Sequence, residues 1–160
     1  MKKDFAFSYD VYQDSSELSP DDRKLLEMAR KVTANAYAPY SQFLVGAAAR
    51  MSNGNLIEGT NQENASFPVG LCAERVLLST ASSLFPQIPI DTMAVSYKNL
   101  KGHNDRPISP CGICRQSLLE YESRGNSPIK IILSGQTGEV VVLASAKLLL
   151  PFSFDKKDME

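Results

Sequence analysis

The three cysteines of this chain, and their spacing in the sequence, constrain its fold more than any other feature. Glu74 follows two residues after Cys72, while Cys111 and Cys114 stand three residues apart after Pro110. Residues three apart share one face of a helical turn, so one helix can present the last two cysteines together. Three thiolates can hold Zn²⁺ and leave its fourth position open to water. The spacing therefore predicts a fold that brings two separate segments to one Zn²⁺ per chain.

The composition is that of an ordinary globular protein and argues against several functional classes. The chain has 160 residues, of which 43% are hydrophobic, enough for one domain with a sizeable core. Its 17 basic and 18 acidic residues give a net charge of −1, which argues against binding to nucleic-acid phosphates. No apolar run approaches the roughly 20 residues that span a membrane. Residues 1–4 are charged and no apolar segment follows them, so we expect a cytoplasmic protein without a signal peptide.

Capping and turn residues divide the chain into helices and strands. Ser19-Pro20 followed by two acids is a typical helix start, and helical spacing continues to about residue 36. Asn53-Gly54 predicts a hairpin turn between two strands. Ser109-Pro110 repeats the Ser-Pro pattern and predicts a helix whose first turn holds the last two cysteines. The predicted strands are residues 44–51, 56–60, 92–97, 129–133 and 140–143, and the remaining helices are residues 72–84 and 144–150.

The order of these elements predicts an α/β protein. Two hairpin strands come first and helices then alternate with strands, which favours a mixed sheet covered by helices. Residues 5–11 alternate apolar and polar side chains and fit either a short strand or an arm on the surface. We expect residues 1–160 to form one domain, with an N-terminal extension at 1–18 and a C-terminal tail at 151–160.

Glu74 and Arg75, beside the first cysteine, have distinct expected roles. Zn²⁺ lowers the pKa of a bound water toward neutrality. Glu74 can take a proton from that water and pass it to a substrate, because it lies close to a ligand without being one. Three thiolates leave the site with a net charge of about −1, which would raise the pKa of the water. Two helix N-termini, and hydrogen bonds from Arg75 to the sulfur atoms, would offset that charge.

The cysteines also fit a structural zinc site or a simple core position. His103, the only histidine, could complete a closed structural site of three cysteines and one histidine. The cysteines could also be ordinary core residues, although their odd number in a reducing compartment favours metal binding or catalysis over disulfides. Glu74 separates the alternatives, because a structural zinc site has no need of an unliganded carboxylate.

Short motifs follow one another along most of the chain. They are residues 37–43 (YAPYSQF), 45–48 (VGAA), 61–65 (NQENA), 72–75 (CAER), 109–116 (SPCGICRQ) and 149–154 (LLPFSF). The pair Cys-x-Glu and Pro-Cys-x-x-Cys is the zinc signature of base deaminases, with Cys in place of His as the first ligand. From about residue 36 to residue 154 the chain resembles the cytidine deaminases of pyrimidine-nucleoside salvage. The resemblance implies a three-layer α/β/α fold around a mixed five-stranded sheet.

The same resemblance implies the chemistry of the site. Cys72, Cys111 and Cys114 would bind the zinc, and Glu74 would act as the acid and base. The expected reaction is hydrolysis of cytidine and 2′-deoxycytidine to uridine and 2′-deoxyuridine with release of ammonia.

The substrate contacts are also implied by the resemblance. Asn61 and Glu63 would hydrogen-bond the ribose, chiefly its 3′-hydroxyl, and solvated loop positions are the alternative. Phe43 would pack against the pyrimidine ring. Val45 would line the pocket, with an ordinary core position as the alternative. Ala73 would contact the base through its backbone amide.

Short members of this family form homotetramers whose sites are completed across interfaces, and Phe154 would reach a neighbouring subunit's pocket. Two departures leave the fine substrate preference open: Phe67 stands where the family commonly has Tyr, and Leu44 where it often has Pro. One rival is a deaminase of another cytosine compound such as blasticidin S, but Asn61 and Glu63 favour a plain nucleoside. A second rival, a nucleic-acid deaminase, would need a basic groove that the near-neutral charge disfavours.

Overall fold

The computed structural model describes residues 1–159 and contains a mixed sheet of six strands. The strands are β1 (Asp10–Tyr12), β2 (Phe43–Met51), β3 (Leu56–Thr60), β4 (Ile90–Asn99), β5 (Lys130–Ser134) and β6 (Val140–Leu143). Their order across the sheet is β1-β6-β5-β4-β2-β3. Strands β4 and β5 run parallel, and the other neighbouring pairs are antiparallel. The α/β class with a mixed sheet is therefore confirmed.

The sixth strand corrects the predicted count of five. It is β1, whose residues pair with β6 in the register Asp10↔Val142 to Tyr12↔Val140. The aromatic residues that carried the alternating pattern, at positions 5, 7 and 9, precede the strand and are exposed. Local periodicity identified the segment, but the pairing joins residues far apart in the chain and shifts the strand to the end of that segment.

Three α-helices pack on the sheet: α1 (Pro20–Val32), α2 (Ala73–Leu84) and α3 (Gly112–Gly125). Ser19 caps α1 as predicted, because its Oγ accepts a hydrogen bond from the backbone N–H of Asp22 at 3.2 Å. Helix α3 begins later than predicted, since its N-cap is Cys111 rather than Ser109. The helix expected at 144–150 is a 3₁₀ helix at Ala146–Leu149. No helix within residues 1–159 combines the length and the apolar character needed to cross a membrane.

The helices cover both faces of the sheet, which confirms the three-layer α/β/α arrangement. Side chains alternate along β2, so that Ala48 packs in one cluster with Leu26 of α1. Ala47, on the opposite face, belongs to the cluster that contains Leu77 of α2 and Leu118 of α3. Helices α2 and α3 therefore lie side by side on one face, and α1 lies alone on the other.

Candidate active site and zinc centre

The three thiols meet where α2 and α3 begin. Cys72 is the N-cap of α2, Cys111 is the N-cap of α3, and Cys114 lies in the first turn of α3. The Sγ atoms of Cys72 and Cys111 are 3.8 Å apart, and those of Cys111 and Cys114 are 3.5 Å apart. Tetrahedral zinc with Zn–S bonds of about 2.3 Å holds its sulfur atoms roughly 3.8 Å apart. The thiols therefore fit one zinc ion without rearrangement of the backbone.

The zinc group within residues 1–159 consists of these three cysteines alone. Their ligand atoms all lie within 4.8 Å of one another, and neither His103 nor Glu74 belongs to the group. His103 is an exposed loop residue. The structure thus gives no support to a closed site of three cysteines and one histidine, and it leaves the fourth metal position free.

Helix α2 reaches this position because it packs very closely on β3. Gly59 of β3 has no side chain, and a Cβ placed there would lie 2.6 Å from both Ala73 O and Leu77 N. Ala73 itself is fully buried at the first turn of the helix. A larger residue at position 59 would therefore push the first turn of α2, and Cys72 with it, away from the sheet.

Helix ends and hydrogen bonds between thiols favour ionisation at the centre. A hydrogen bond from Cys114 lowers the pKa of Cys72 to about 6, against the effect of burial, and Arg75 contributes a smaller lowering. The same hydrogen bond, together with burial, raises the pKa of Cys114, which keeps its proton as the donor. The thiolate at Cys72 also lies at the positive end of the α2 dipole. These effects favour the thiolate form of Cys72, which is the form in which a cysteine binds zinc.

Glu74 occupies the first turn of α2 and is 5% exposed. Burial raises the pKa of its carboxyl group, while hydrogen bonds from its own backbone N–H and from Cys114 act in the opposite direction. A raised pKa makes this carboxylate a better proton acceptor than a glutamate exposed to solvent. This is the behaviour that a proton carrier needs.

A cleft of about 350 Å³ opens in front of Cys72, Cys111 and Glu74. Four of the predicted substrate-binding residues line it: Val45, Asn61, Glu63 and Ala73. Cys114 is buried behind this surface. Phe43, Arg75 and Phe154 are not part of the cleft lining.

Asn61 and Glu63 are held by backbone groups at the rim of the cleft. The Asn61 side chain accepts a hydrogen bond from Val45 N at 2.7 Å and donates one to Phe43 O at 2.9 Å. The Glu63 carboxylate accepts hydrogen bonds from Tyr40 N at 2.9 Å and Ser41 N at 3.3 Å. Hydrogen bonding from Ser41, followed by that from Tyr40, lowers the pKa of Glu63. Asn61 keeps one free N–H and Glu63 keeps free lone pairs, so both can still bind a ligand.

Phe43 lies beside the cleft rather than in its wall. Its ring stacks on Tyr97 of β4 at a centroid distance of 4.9 Å and an angle of 12°. Both rings line an adjacent cavity, which shares Ile108 with the cleft. A ring in this position is close to the cleft, and its contact with a pyrimidine stays a prediction.

Arg75 and Phe154 also stand outside the cleft of their own chain. Arg75 is half-buried and makes no hydrogen bond to a sulfur atom among the described residues, although its charge acts on Cys72. The Phe154 ring is 60% exposed, while its backbone oxygen accepts a hydrogen bond from Gln116 Nε2 at 2.9 Å. The tail is therefore fastened to α3 through its backbone, and the Phe154 side chain is largely exposed.

Several cleft residues were not predicted as site residues from the sequence. Phe67, which is 73% exposed, lines the cleft and forms an edge-to-face pair with Tyr40 at a centroid distance of 5.6 Å. Ile108 and Ser109 line the wall just before the second ligand segment. Their proximity to Pro110 in the sequence was the available signal, since residues that precede a ligand turn must lie near the metal.

Comparison with known proteins gives concordant results. Residues 19–125 match the family described as the cytidine and deoxycytidylate deaminase zinc-binding region. The cytidine deaminase of Halalkalibacterium halodurans is 35% identical over 139 residues, which cover 87% of this chain and 98% of that protein. The cytidine deaminase of Sporosarcina psychrophila is 32% identical over 139 residues, with 87% and 95% covered.

The fold comparison agrees with the sequence comparison. The crystal structure of cytidine deaminase from Burkholderia pseudomallei superposes with a TM-score of 0.72 at 36% identity, covering 86% of this chain and all of that one. The match extends over the sheet and the helices that carry the thiols, not only over the cysteine motifs. Similarity of this extent shows that the chain belongs to the zinc-binding cytidine and deoxycytidylate deaminase family.

Proposed function

We propose that this protein hydrolyses cytidine and 2′-deoxycytidine to uridine and 2′-deoxyuridine, releasing ammonia. The observation that carries the proposal is the buried Glu74 in a cleft beside three thiols that leave one zinc position free. Relatives named cytidine deaminase at more than 30% identity support this choice of substrate. A structural zinc module would not place an unliganded carboxylate in an open cleft.

In the proposed reaction Glu74 moves the protons. Zn²⁺ held by Cys72, Cys111 and Cys114 supplies, when bound, a water of lowered pKa. Glu74 would accept a proton from the water that hydrolyses the substrate, and the oxygen of that water would add to C4 of the cytosine ring. Glu74 then delivers protons to the ring nitrogen N3 and to the departing amine, so that water and cytidine yield uridine and ammonia. Its raised pKa supports the acceptance of the first proton.

Five residues would orient the nucleoside. Asn61 and Glu63, with a free N–H and free lone pairs, would hydrogen-bond the ribose hydroxyls. The backbone N–H of Ala73, at the first turn of α2, lacks an intrahelical acceptor and can donate to the base. Val45 would form the apolar wall of the cleft, and the ring of Phe43 would pack on the pyrimidine.

Arg75 would reduce the excess negative charge of three thiolates on one zinc ion. Its electrostatic effect on Cys72 supports this role. In the structure the guanidinium makes no hydrogen bond to a sulfur atom among residues 1–159, so its effect on Cys72 there is electrostatic. Arginine suits this task because its five N–H donors can serve two acceptors at once.

We also propose that the chain, as one deaminase domain, assembles into a homotetramer. Exposed aromatic residues, including Phe67 in the cleft lining, Tyr40 packed against it and Phe154 in the tail, support an interface, because monomers rarely leave large apolar patches in water. Native mass spectrometry of the purified protein tests the assembly: a monomer as the main species would contradict it.

The three free thiols support a reducing compartment, and we propose the cytoplasm as the location of this protein.

A substrate panel tests the proposed reaction. Absorbance should change with cytidine and 2′-deoxycytidine but not with cytosine, cytidine monophosphate or blasticidin S. The product should be verified as uridine, and ammonia should appear in equal amount. Activity confined to the last three compounds would overturn the proposal, and activity with blasticidin S alone would favour the rival deaminase.

A further inference from the structure

Arg115, the residue after Cys114, joins two parts of the chain that the proposed function uses. Its Nε donates a hydrogen bond to Pro110 O at 2.8 Å, and its Nη1 donates one to Leu149 O at 3.1 Å. Its backbone N–H donates to Cys111 O at 2.9 Å. The side chain is half-buried, so both side-chain bonds are partly shielded from water.

The bond to Pro110 controls the turn that presents Cys111. A helix N-cap residue normally uses its own side chain to bind a backbone N–H of the first turn. Cys111 makes no such bond, which leaves its thiol free for the metal but leaves the turn without a local cap. The Arg115 guanidinium donates a hydrogen bond to the carbonyl oxygen of Pro110, just before Cys111. The Arg115 backbone N–H donates one to the carbonyl oxygen of Cys111 in the same turn. The position of the Cys111 sulfur therefore depends on this guanidinium.

The bond to Leu149 reaches the base of the C-terminal tail. Leu149 ends the 3₁₀ helix Ala146–Leu149 and is buried, so its carbonyl is a fixed point from which the tail departs. The next residue on α3, Gln116, holds the carbonyl of Phe154 at 2.9 Å. Two consecutive residues of α3 therefore hold the start and the far end of the segment that carries the Phe154 ring.

We propose that Arg115 is a positioning residue that orients the Cys111 ligand and couples the zinc centre to the C-terminal tail. The inference rests on the proposed zinc ligation by Cys111 and on the proposed substrate contact of Phe154. Groups that orient metal ligands typically contribute about 10- to 100-fold to metal affinity. A purely structural arginine would instead change the stability of the fold and leave the zinc centre unchanged.

Zinc release from the purified holoenzyme tests the first half of the proposal. The readout is transfer of zinc to the chelator 4-(2-pyridylazo)resorcinol, with circular dichroism to verify that each variant is folded. We expect Arg115→Ala to release zinc about tenfold faster than the wild type, and Arg115→Lys, which keeps the charge but loses the planar fork, to lie between them. The matched control is Arg124→Ala, because Arg124 lies on the same helix but contacts Ser82 and Tyr121 away from the metal.

Steady-state kinetics test the second half. Arg115→Ala should raise KM for cytidine as well as speed zinc release, whereas Gln116→Ala should raise KM alone, because it frees Phe154 without touching Pro110. The proposal would be overturned if folded Arg115→Ala or folded Arg115→Lys released zinc at the wild-type rate. If Arg115→Ala does not fold, the rate of zinc release from Arg115→Lys decides. An unchanged KM in zinc-loaded Arg115→Ala would overturn the coupling to the tail. A wild type that keeps zinc but deaminates no nucleoside would refute the proposed function, while zinc release would still test Arg115.

Discussion

The first turns of α2 and α3 both start at a cysteine whose side chain makes no capping hydrogen bond, yet they are held in different ways. The start of α2 is held by packing, since Gly59 of β3 lets the helix backbone come into direct contact with the sheet. The start of α3 is held by hydrogen bonds from Arg115. Two positions after the cysteine, α2 carries Glu74 at 5% exposure, whereas α3 carries Ile113 at 63% exposure.

This difference indicates that the two helices have different roles in the site. Helix α2 provides one half-buried ligand together with the buried proton carrier, and the close packing of its first turn on β3 restrains both. Helix α3 provides two ligands and holds the tail through hydrogen bonds from Arg115 and Gln116. Substitutions on α2 should therefore affect the chemical step, and substitutions on α3 should affect metal retention and the reach of the tail.

The largest expected effect comes from removing the proton carrier on α2. Glu74→Gln keeps the shape of the side chain but cannot accept a proton, so kcat should fall by roughly 10²- to 10⁴-fold. Zinc content, measured by atomic absorption, should stay at one per chain because Glu74 is not a ligand. Glu120→Gln, the same change at an exposed position of α3, is the control and should leave kcat unchanged. Normal turnover by Glu74→Gln would show that another group moves the proton.

The next largest effect should come from the packing that holds α2. Gly59→Ala places a methyl group 2.6 Å from two backbone atoms of α2, and overpacking of this kind costs about 1–3 kcal/mol. We expect a lower midpoint in urea unfolding and a lower zinc content, since Cys72 moves with the helix.

Gly112→Ala is the matched change at the start of α3. Apart from its chain neighbours and the backbone of its own helix, no atom lies within 4 Å of a Cβ at position 112. The free energy of unfolding of this variant should therefore equal that of the wild type or exceed it by up to about 1 kcal/mol. If Gly59→Ala and Gly112→Ala were equally destabilised, close packing would not be what distinguishes the start of α2 from the start of α3.

A smaller effect should appear in the loop that leads into α2. Glu63→Gln replaces the carboxylate that would accept a hydrogen bond from a ribose hydroxyl. A hydrogen bond to a charged group is worth about 1.5–3 kcal/mol, so KM should rise at least about tenfold. Zinc content should not change. Because the pKa of Glu63 is lowered, the wild-type carboxylate stays ionised in weak acid, and this contribution to KM should be lost only as the pH falls through that lowered pKa. A KM equal to that of the wild type would assign Glu63 to loop structure alone, through Tyr40 and Ser41.

Much of the fold was predictable because its signals are local. Ser19 before Pro20 specifies a helix start with its own side chain, and the hydrogen bond to Asp22 N is present. Gly54 in the Asn-Gly turn has a φ of +86°, a conformation that favours glycine, and the hairpin of β2 and β3 follows from it. The spacing of the cysteines likewise predicted a single cluster, because only a zinc site makes use of all three.

The remainder depended on contacts between distant residues. The Ser-Pro pattern predicted that α3 would begin at Pro110, but the Pro110 carbonyl bonds the Arg115 side chain and the helix begins after Cys111. The pairing of β1 with β6 and the position of the Phe43 ring on Tyr97 are also long-range contacts. No periodicity within one segment reports such contacts, so the sequence indicated the ligands but not what holds them.

The smallest effect should come from the tail that α3 holds. Phe154→Ala removes a ring that is 60% exposed in the single chain, so the stability of the monomer and the zinc content should not change. If the ring enters a neighbouring subunit's cleft, KM for cytidine should rise severalfold, because full burial of an aromatic side chain is worth roughly 1.5–3 kcal/mol and this partly buried residue has only a fraction of that left to gain. Phe152→Ala, two residues earlier and fully exposed, is the matched control and should behave as the wild type. Equal KM values for Phe154→Ala and Phe152→Ala would show that the Phe154 ring does not contribute to substrate binding. The hydrogen bond from Gln116 to Phe154 would then only anchor the end of the chain.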